Sequence, residues 1–231
     1  MHDQPVLLKK VAQGVGRDFV VGDIHGTFDW LYRALDQVRF DPSVDRLFSV
    51  GDLVDRGMNN AHATDFLKFD WVHAVRGNHE QMLLSLYEDG APDEDDIREF
   101  AEPWWWAMSE EARRDMLEAF AALPIAIELE TRAGRVGILH AEVPSGMSWQ
   151  DFSRQIQSGD EEVIDSALWG RERIKYRYAR GVAGIDRVFV GHTTFFGAEC
   201  ILGNCVYLDT GAVYGATGAA KDGRLTIIEI A

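Results

Sequence analysis

Three times in the first part of the chain a short apolar run closes on a glycine, and apolar residues at helical spacing follow. Residues Asp18 to Val21 end at Gly22, and Phe28, Leu31, Leu35 and Val38 then recur every three or four positions. This spacing predicts strand, loop and helix. The pattern repeats with a strand from Arg46 to Val50 before Gly51 and a helix from Ala63 to Phe69. A third copy places a strand at Trp71 to Val75 and a helix at Gln81 to Tyr87. Strands alternating with helices indicate an α/β fold whose chemistry sits at the carboxyl ends of the strands.

The middle of the chain is different. Residues Asp89 to Asp96 read DGAPDEDD, a charged run rich in turn formers that predicts an exposed loop. Helical patterns follow at Ile97 to Trp106 and Glu110 to Leu123. The aromatic cluster Trp104, Trp105 and Trp106 fits a core or a helical lid better than a platform for stacking a ligand. Beyond it, strands at Ile125 to Glu130 and Arg135 to Leu139 flank a turn at Arg132, Ala133 and Gly134, forming a hairpin that delivers His140. Helices are expected at Trp149 to Gln157 and Glu161 to Trp169, and strands at Arg187 to Val190, Cys200 to Leu202, Val206 to Leu208 and Leu225 to Ile230. No repeat, low-complexity tract or Pro/Gly/Ser linker divides the sequence, so residues 1–231 are expected to form a single domain.

Composition excludes several classes of function. With 46% hydrophobic residues the chain has material for a packed core, which rules out a disordered or fibrous protein. Its 23 Lys and Arg stand against 38 Asp and Glu, a formal net charge of -15 that repels phosphate backbones and anionic membranes. Neither nucleic acid nor membrane is therefore an expected partner. A small anionic substrate is still allowed, because metal ions and a few arginines can reverse the sign inside a cleft. Residues Met1 to Lys10 lack the apolar run of a signal peptide, and no stretch reaches the ~20 apolar residues of a membrane span, so the expected location is the cytoplasm. Cys200 and Cys205 flank a turn at Gly203 and Asn204; reduced thiols fit a chain with so large a core better than a disulfide.

Four motifs change the picture: GDIHG at 22–26, GDLVDRG at 51–57, RGNHE at 76–80 and GHT at 191–193. Each sets oxygen or imidazole ligands beside glycines that let the backbone turn sharply. GDIHG alone could be an ordinary turn, and GNHE alone a helix N-terminus with Asn78 capping and Glu80 at the positive end of the dipole. The set together points to a two-metal phosphoesterase. Hydrolysing a phosphate ester needs a nucleophilic oxygen, charge neutralisation and a proton for the leaving alkoxide; two cations about 3.5–4 Å apart supply the first two by activating a bridging water and clamping the phosphoryl group. Asp52 is the expected bridging carboxylate, Asp23 and His25 the companions of one ion, and Asn78, His140 and His192 those of the other. A carboxylate, amide and imidazole set suits manganese, iron or zinc rather than calcium. Two divalent ions, manganese first with iron or zinc as alternatives, are the expected cofactors. His79, held by Asp55, can serve as general acid. Arg56 and Arg76 are placed to grip phosphate oxygens. His2, His62 and His73 read as ordinary core or surface histidines.

These motifs, with HAE at 140–142 and LDTGAVYG at 208–215, resemble the PPP family of metallophosphatases, in the small bacterial and phage branch typified by the bacteriophage lambda protein phosphatase. The resemblance implies a calcineurin-like fold, a central β-sandwich of two mixed sheets flanked by helices with the dimetal site at one end. It assigns Asp23, His25 and Asp52 to the first metal and Asp52, Asn78, His140 and His192 to the second. His79 with Asp55 becomes the acid and Arg56 a phosphate ligand. A further phosphate-binding arginine is implied in LWGRERI, at Arg173, with Arg171 the alternative. One departure is Glu142, where the family often has aspartate. The implied activity is hydrolysis of phospho-Ser and phospho-Thr, with phospho-Tyr as an extension, by direct attack of a metal-bridging hydroxide. Phosphorylated proteins or peptides are the expected partners, without a regulatory subunit. The rival within the family is a symmetrical dinucleoside polyphosphate hydrolase, and the intact VDRG favours the phosphatase. A silent metal-binding scaffold is disfavoured because every implied ligand is present.

Overall fold

The computed structural model describes residues 7–88, 90, 92, 93, 95 and 101–230. Its strands are β1 (Leu8–Val11), β2 (Asp18–Val21), β3 (Arg46–Ser49), β4 (Val72–Ala74), β5 (Ala126–Thr131), β6 (Gly134–Leu139), β7 (Arg187–Val190), β8 (Cys200–Leu202), β9 (Cys205–Tyr207) and β10 (Ile227–Ile230). They build two mixed sheets, one ordered β1-β5-β6-β7-β9-β8 and the other β10-β2-β3-β4.

The sheets face each other because their strands are apolar on the shared side. Val20, Phe48 and Val50 from the smaller sheet meet Ile127, Ile138, Phe189 and Val206 from the larger one in a buried core. The outer face of the smaller sheet packs on helices Phe28–Gln37, His62–Phe66, Asn78–Ser85 and Glu110–Ala121, through Leu31, Phe66, Leu83 and Phe120. The outer face of the larger sheet packs on helices Trp149–Ser158 and Glu161–Trp169, through Phe152, Ile156 and Ala167. Four layers result, helix, sheet, sheet and helix, as the mixed-sheet sandwich expectation requires.

Pairing direction brings the site together. β2, β3 and β4 run parallel, as do β6 and β7, so the carboxyl ends within each set emerge along one edge of its sheet. The sheets also touch at this end. A Cβ on Gly22, just after β2, would fall on the Leu208 carbonyl just after β9, so only glycine permits the approach.

Several element boundaries differ from those read in the sequence. β1 was not foreseen, because Lys9 and Lys10 side by side break the apolar alternation. The third helix starts at Asn78 rather than Gln81, with the polar Asn78 and His79 buried in its first turn. Short helices at Glu172–Lys175 and Ala212–Ala216 were also not anticipated. The helix expected from Ile97 shows only its later part, Pro103–Trp106, since residues 97–100 lie outside the described residues. In the β8–β9 pairing Cys200 stands opposite Tyr207 and Cys205 opposite Leu202, and both thiols are free.

Candidate metal centre

Each motif hangs from a strand end. The Gly22–Gly26 loop follows β2 and is stitched to the next motif by backbone bonds from Ile24 and His25 N–H to the Asp52 carbonyl, at 3.0 and 2.9 Å. The loops after β3 and β4 bring Asp52, Asp55, Arg56, Asn78 and His79, and the ends of β6 and β7 bring His140 and His192. Among the described residues, seven non-glycine positions have positive φ, and five belong to this site: His25 (44°), Asp52 (51°), Asp55 (71°), Arg56 (65°) and His192 (66°). A left-handed conformation costs about 1–3 kcal/mol at such residues and persists where the surroundings enforce it. The strain is concentrated where the side chains converge.

The histidines present lone pairs inward. His140 Nδ1 lies 2.8 Å from the Val50 carbonyl and His25 Nδ1 lies 2.7 Å from that of Val54. A carbonyl can only accept, so each Nδ1 carries the proton and each Nε2 is free to bind a cation. Around His140 Nε2 gather Asn78 Oδ1 at 2.8 Å, His192 Nδ1 at 3.2 Å and Asp52 Oδ1 at 3.4 Å. Asn78 Oδ1 is also 2.8 Å from His192 Nδ1. The Asp23 carboxylate accepts the His192 backbone N–H at 3.0 Å, linking the first motif to the last.

Two triads of donor atoms share Asp52: Asp23, Asp52 and His140 form one, and His25, Asp52 and His79 the other, the atoms of each lying within 4.8 Å of one another. The shared carboxylate fits the bridging role. Asp23 groups with His140 here, although the family resemblance pairs it with His25, and His79 joins His25. Between the last two lies Arg56, its Nη1 2.8 Å from His25 Nε2 and its Nη2 2.9 Å from His79 Nε2. The guanidinium thus puts positive charge in the corner that the two lone pairs face.

Electrostatics match a site built for cations. Burial lowers His25 to about 4 and His192 to about 3, and it also lowers His140, so all three rings stay neutral at neutral pH. Burial drives Asp23 up, helped by the nearby Asp209 and Asp52 carboxylates. Burial pushes Asp52 up as well, but the surrounding His140, His79 and His25 outweigh it and pull the group below the ordinary carboxylate range. Buried carboxylates beside neutral imidazoles, those of His25 and His140 with inward lone pairs, need cationic charge, and the donor set suits divalent metal.

His79 is a different case. Its Nδ1 lies 2.6 Å from Asp55 Oδ2, and its backbone N–H donates to Asp52 Oδ1 at 3.1 Å. Burial lowers its pKa, yet the bond to Asp55 and the charge of Asp52 more than offset this, for a net rise.

Two expected phosphate ligands sit elsewhere. The Arg76 guanidinium donates to Gln81 Oε1 at 2.8 Å and to the Ala121 and Leu123 carbonyls at 2.9 and 3.3 Å. Those carbonyls lie where helix Glu110–Ala121 ends without intrahelical donors, so Arg76 serves as a cap there. Arg173 is 3% exposed and donates to the Tyr178 and Arg180 carbonyls at 3.4 and 2.6 Å, stapling a loop. The alternative, Arg171, reaches the site, with Nη1 3.3 Å from Thr193 Oγ1 and Nη2 3.4 Å from the His192 carbonyl. Glu142 sets this arrangement: it accepts the Glu172 and Arg173 backbone N–H groups at 3.0 and 2.8 Å, fixing the turn that carries Arg171.

Sequence reasoning also missed supporting residues. Glu80, fully buried, accepts N–H bonds from Asp52, Leu53 and Gly77. Trp104 Nε1 donates to Asp55 Oδ1 at 2.8 Å, and Glu102 accepts the Arg56 N–H at 2.8 Å. Asp209, within LDTG, accepts from Thr194 Oγ1 and Gly211 N. Glu80 and Asp209 lie inside motifs already singled out, but no spacing in the sequence links Glu102 and Trp104 to the loop they support.

A mixed-sheet sandwich with a shared carboxylate between two buried His/Asp triads defines a metal-dependent phosphoesterase. The chain belongs to the calcineurin-like phosphoesterase family, whose profile matches residues 19–207. It is 34% identical to serine/threonine-protein phosphatase 1 of Salmonella typhimurium over 100% of this chain and 99% of that protein. A symmetrical bis(5'-nucleosyl)-tetraphosphatase from Methylococcus capsulatus is 26% identical, covering 90% of this chain and 92% of that protein. In fold it resembles a cold-active protein-tyrosine phosphatase of Shewanella, with a TM-score of 0.62 at 15% identity over 98% of this chain and 78% of that one.

Proposed function

We propose that the chain is a protein phosphatase that hydrolyses phospho-Ser and phospho-Thr, with phospho-Tyr as a further substrate, on cytoplasmic proteins or peptides. The observation that carries the reading is the His79–Asp55 pair, joined at 2.6 Å and set beside the shared Asp52 carboxylate. Asp23, His25, Asp52, Asn78, His140 and His192 would hold two divalent ions, manganese first. When bound, the ions supply Lewis acidity toward the phosphoryl oxygens and an activated water. The rest falls to side chains. Arg56 and Arg171 orient the phosphate, and once Arg56 turns to the substrate, His79 Nε2 is free to carry a proton. Asp55 fixes the His79 tautomer and stabilises the imidazolium, so that His79 protonates the leaving alkoxide. Full-length likeness to a Ser/Thr phosphatase supports this substrate class.

The second reading, a symmetrical dinucleoside polyphosphate hydrolase, is favoured by the full-length tetraphosphatase relative. Manganese-loaded protein given a phosphoserine peptide, nitrophenyl phosphate and a diadenosine polyphosphate in parallel separates the two. Preference for the peptide is expected, and preference for the dinucleotide would replace the first reading. His79→Asn should cut turnover by about 10²–10⁴-fold while retaining metal; metal loss in that variant would instead make His79 a ligand.

A further inference from the structure

We propose that Trp104 is a positioning residue that completes the acid pair, forming a Trp104–Asp55–His79 relay; the proposal rests on the phosphatase reading above. Asp55 divides its carboxylate between two donors, giving Oδ2 to His79 Nδ1 at 2.6 Å and Oδ1 to the Trp104 indole N–H at 2.8 Å. An indole N–H can only donate, so it stabilises the carboxylate form and leaves the ring no alternative role toward Asp55.

Two further observations make the contact a built feature. Asp55 and Arg56 occupy consecutive left-handed positions, with φ of 71° and 65°, which neither residue adopts without external support. That support comes from one short segment: Trp104 holds the Asp55 side chain, and Glu102, two residues earlier, accepts the Arg56 N–H at 2.8 Å. The segment is itself anchored, because the adjacent Trp105 is fully buried in the helix-side core and packs edge-on against Tyr87. Trp104 packs against the same core and crosses Trp105 at 79°. Trp105 fixes the segment and Trp104 carries that rigidity to the carboxylate that orients His79. The tryptophan cluster is thus more than core, and more specific than a lid.

The test compares Trp104→Phe with wild type in manganese-loaded enzyme on two substrates. A phosphoserine peptide expels an alkoxide that needs a proton, whereas nitrophenyl phosphate expels a stable anion that does not. If Trp104 acts through the acid, the phenylalanine variant loses about tenfold in kcat on the peptide, changes less than about twofold on nitrophenyl phosphate, and keeps its KM and metal content. Trp104→His, which restores an N–H, should recover part of the loss. In a His79→Asn background Trp104→Phe should have no further effect, since residues acting as one unit are non-additive. Without reference to activity, the Trp104 indole resonance of the protein should shift in Asp55→Asn.

Equal losses on both substrates, an undiminished loss in the His79→Asn background, or an unmoved indole resonance would each overturn the relay. A His79→Asn enzyme that slows both substrates equally would instead overturn the acid assignment, with the indole shift still reporting the Trp104–Asp55 contact.

Discussion

Exchanging Glu80 for glutamine should loosen the metal site from beneath, although Glu80 is no metal ligand. The side chain is fully buried, with Oε2 accepting N–H groups of Asp52 at 3.0 Å and Gly77 at 2.8 Å, and Oε1 accepting that of Leu53 at 2.8 Å. It clamps the loop carrying Asp52 onto the first turn of helix Asn78–Ser85. In Glu80→Gln the amide oxygen can keep the two bonds at the Oε2 position while the amide nitrogen faces the Leu53 N–H. One buried donor is then orphaned, a cost of about 1–3 kcal/mol. Glu80→Leu orphans all three, about 3–9 kcal/mol before relaxation, which rivals the ~5–15 kcal/mol that holds a typical domain together. Urea unfolding of chelated protein should therefore rank wild type, Gln and Leu in falling order. Metal content by mass spectrometry should fall in the same order, with affinity about 10–100-fold weaker in the glutamine variant. Equal midpoints for the Gln and Leu variants, or full metal retention in both, would refute the view that this carboxylate sets the Asp52 loop.

Arg171→Ala should raise KM for a phosphopeptide about tenfold at unchanged melting temperature, whereas Arg173→Ala, which removes a buried guanidinium and its two part-buried bonds to the Tyr178 and Arg180 carbonyls, should lower the melting temperature by about 2–8 °C. The reverse pattern in paired kinetic and thermal assays would return the phosphate role to Arg173. His73, lowered to about 4 by burial and by Lys9 and Arg46, lies on β4 outside both candidate metal triads and resists protonation when folded. The unfolded ring takes up a proton near ~6.5, so the His73 contribution is full above that pH and drains away as pH falls toward 4. Urea midpoints between pH 4 and 7 should fall less steeply in His73→Phe than in wild type, and parallel slopes would contradict the shift. A Cβ on Gly191 would land on the Asp23 carboxylate, so Gly191→Ala should deplete metal while far-UV circular dichroism stays native; a metal-replete variant would show that Asp23 is free to move aside.

The fold was legible wherever apolar runs end on glycine. β2, β3 and β4 appear in the sequence because each brings buried apolar residues, Phe19, Val20 and Val21, Leu47 and Phe48, and Ala74, close before a glycine turn. β1 escaped because it lies at a sheet edge with Lys9 and Lys10 at its centre, leaving only Leu8 and Val11 buried, each in a different core. The start of helix Asn78–Ser85 escaped for the opposite reason: its first turn is buried by the metal site rather than by the core, so polar residues occupy inward positions. Helices of four or five residues are too short to show a period. At the site, Asp23, His25, Asp52, Asn78 and His192 were readable because glycines stand close beside them, and His140 because a hairpin delivers it. Glu102 and Trp104 were not, and the tasks of Glu80 and Glu142 were not, because each acts on backbone or side-chain partners distant in the chain. Arg171 and Arg173 stand two apart in one turn, and only its three-dimensional path decides which guanidinium faces the phosphate.

The side chains of the candidate metal centre come from both halves of the sandwich: Asp23, His25, Asp52 and Asn78 from the smaller sheet, His140 and His192 from the larger. Asp23 and the His192 N–H that binds it are separated by 169 positions. The Asp23, Asp52 and His140 triad therefore cannot close until most of the chain has left the ribosome. A copy whose two halves have failed to mate leaves that triad open, so completion of the site reports on completion of the fold.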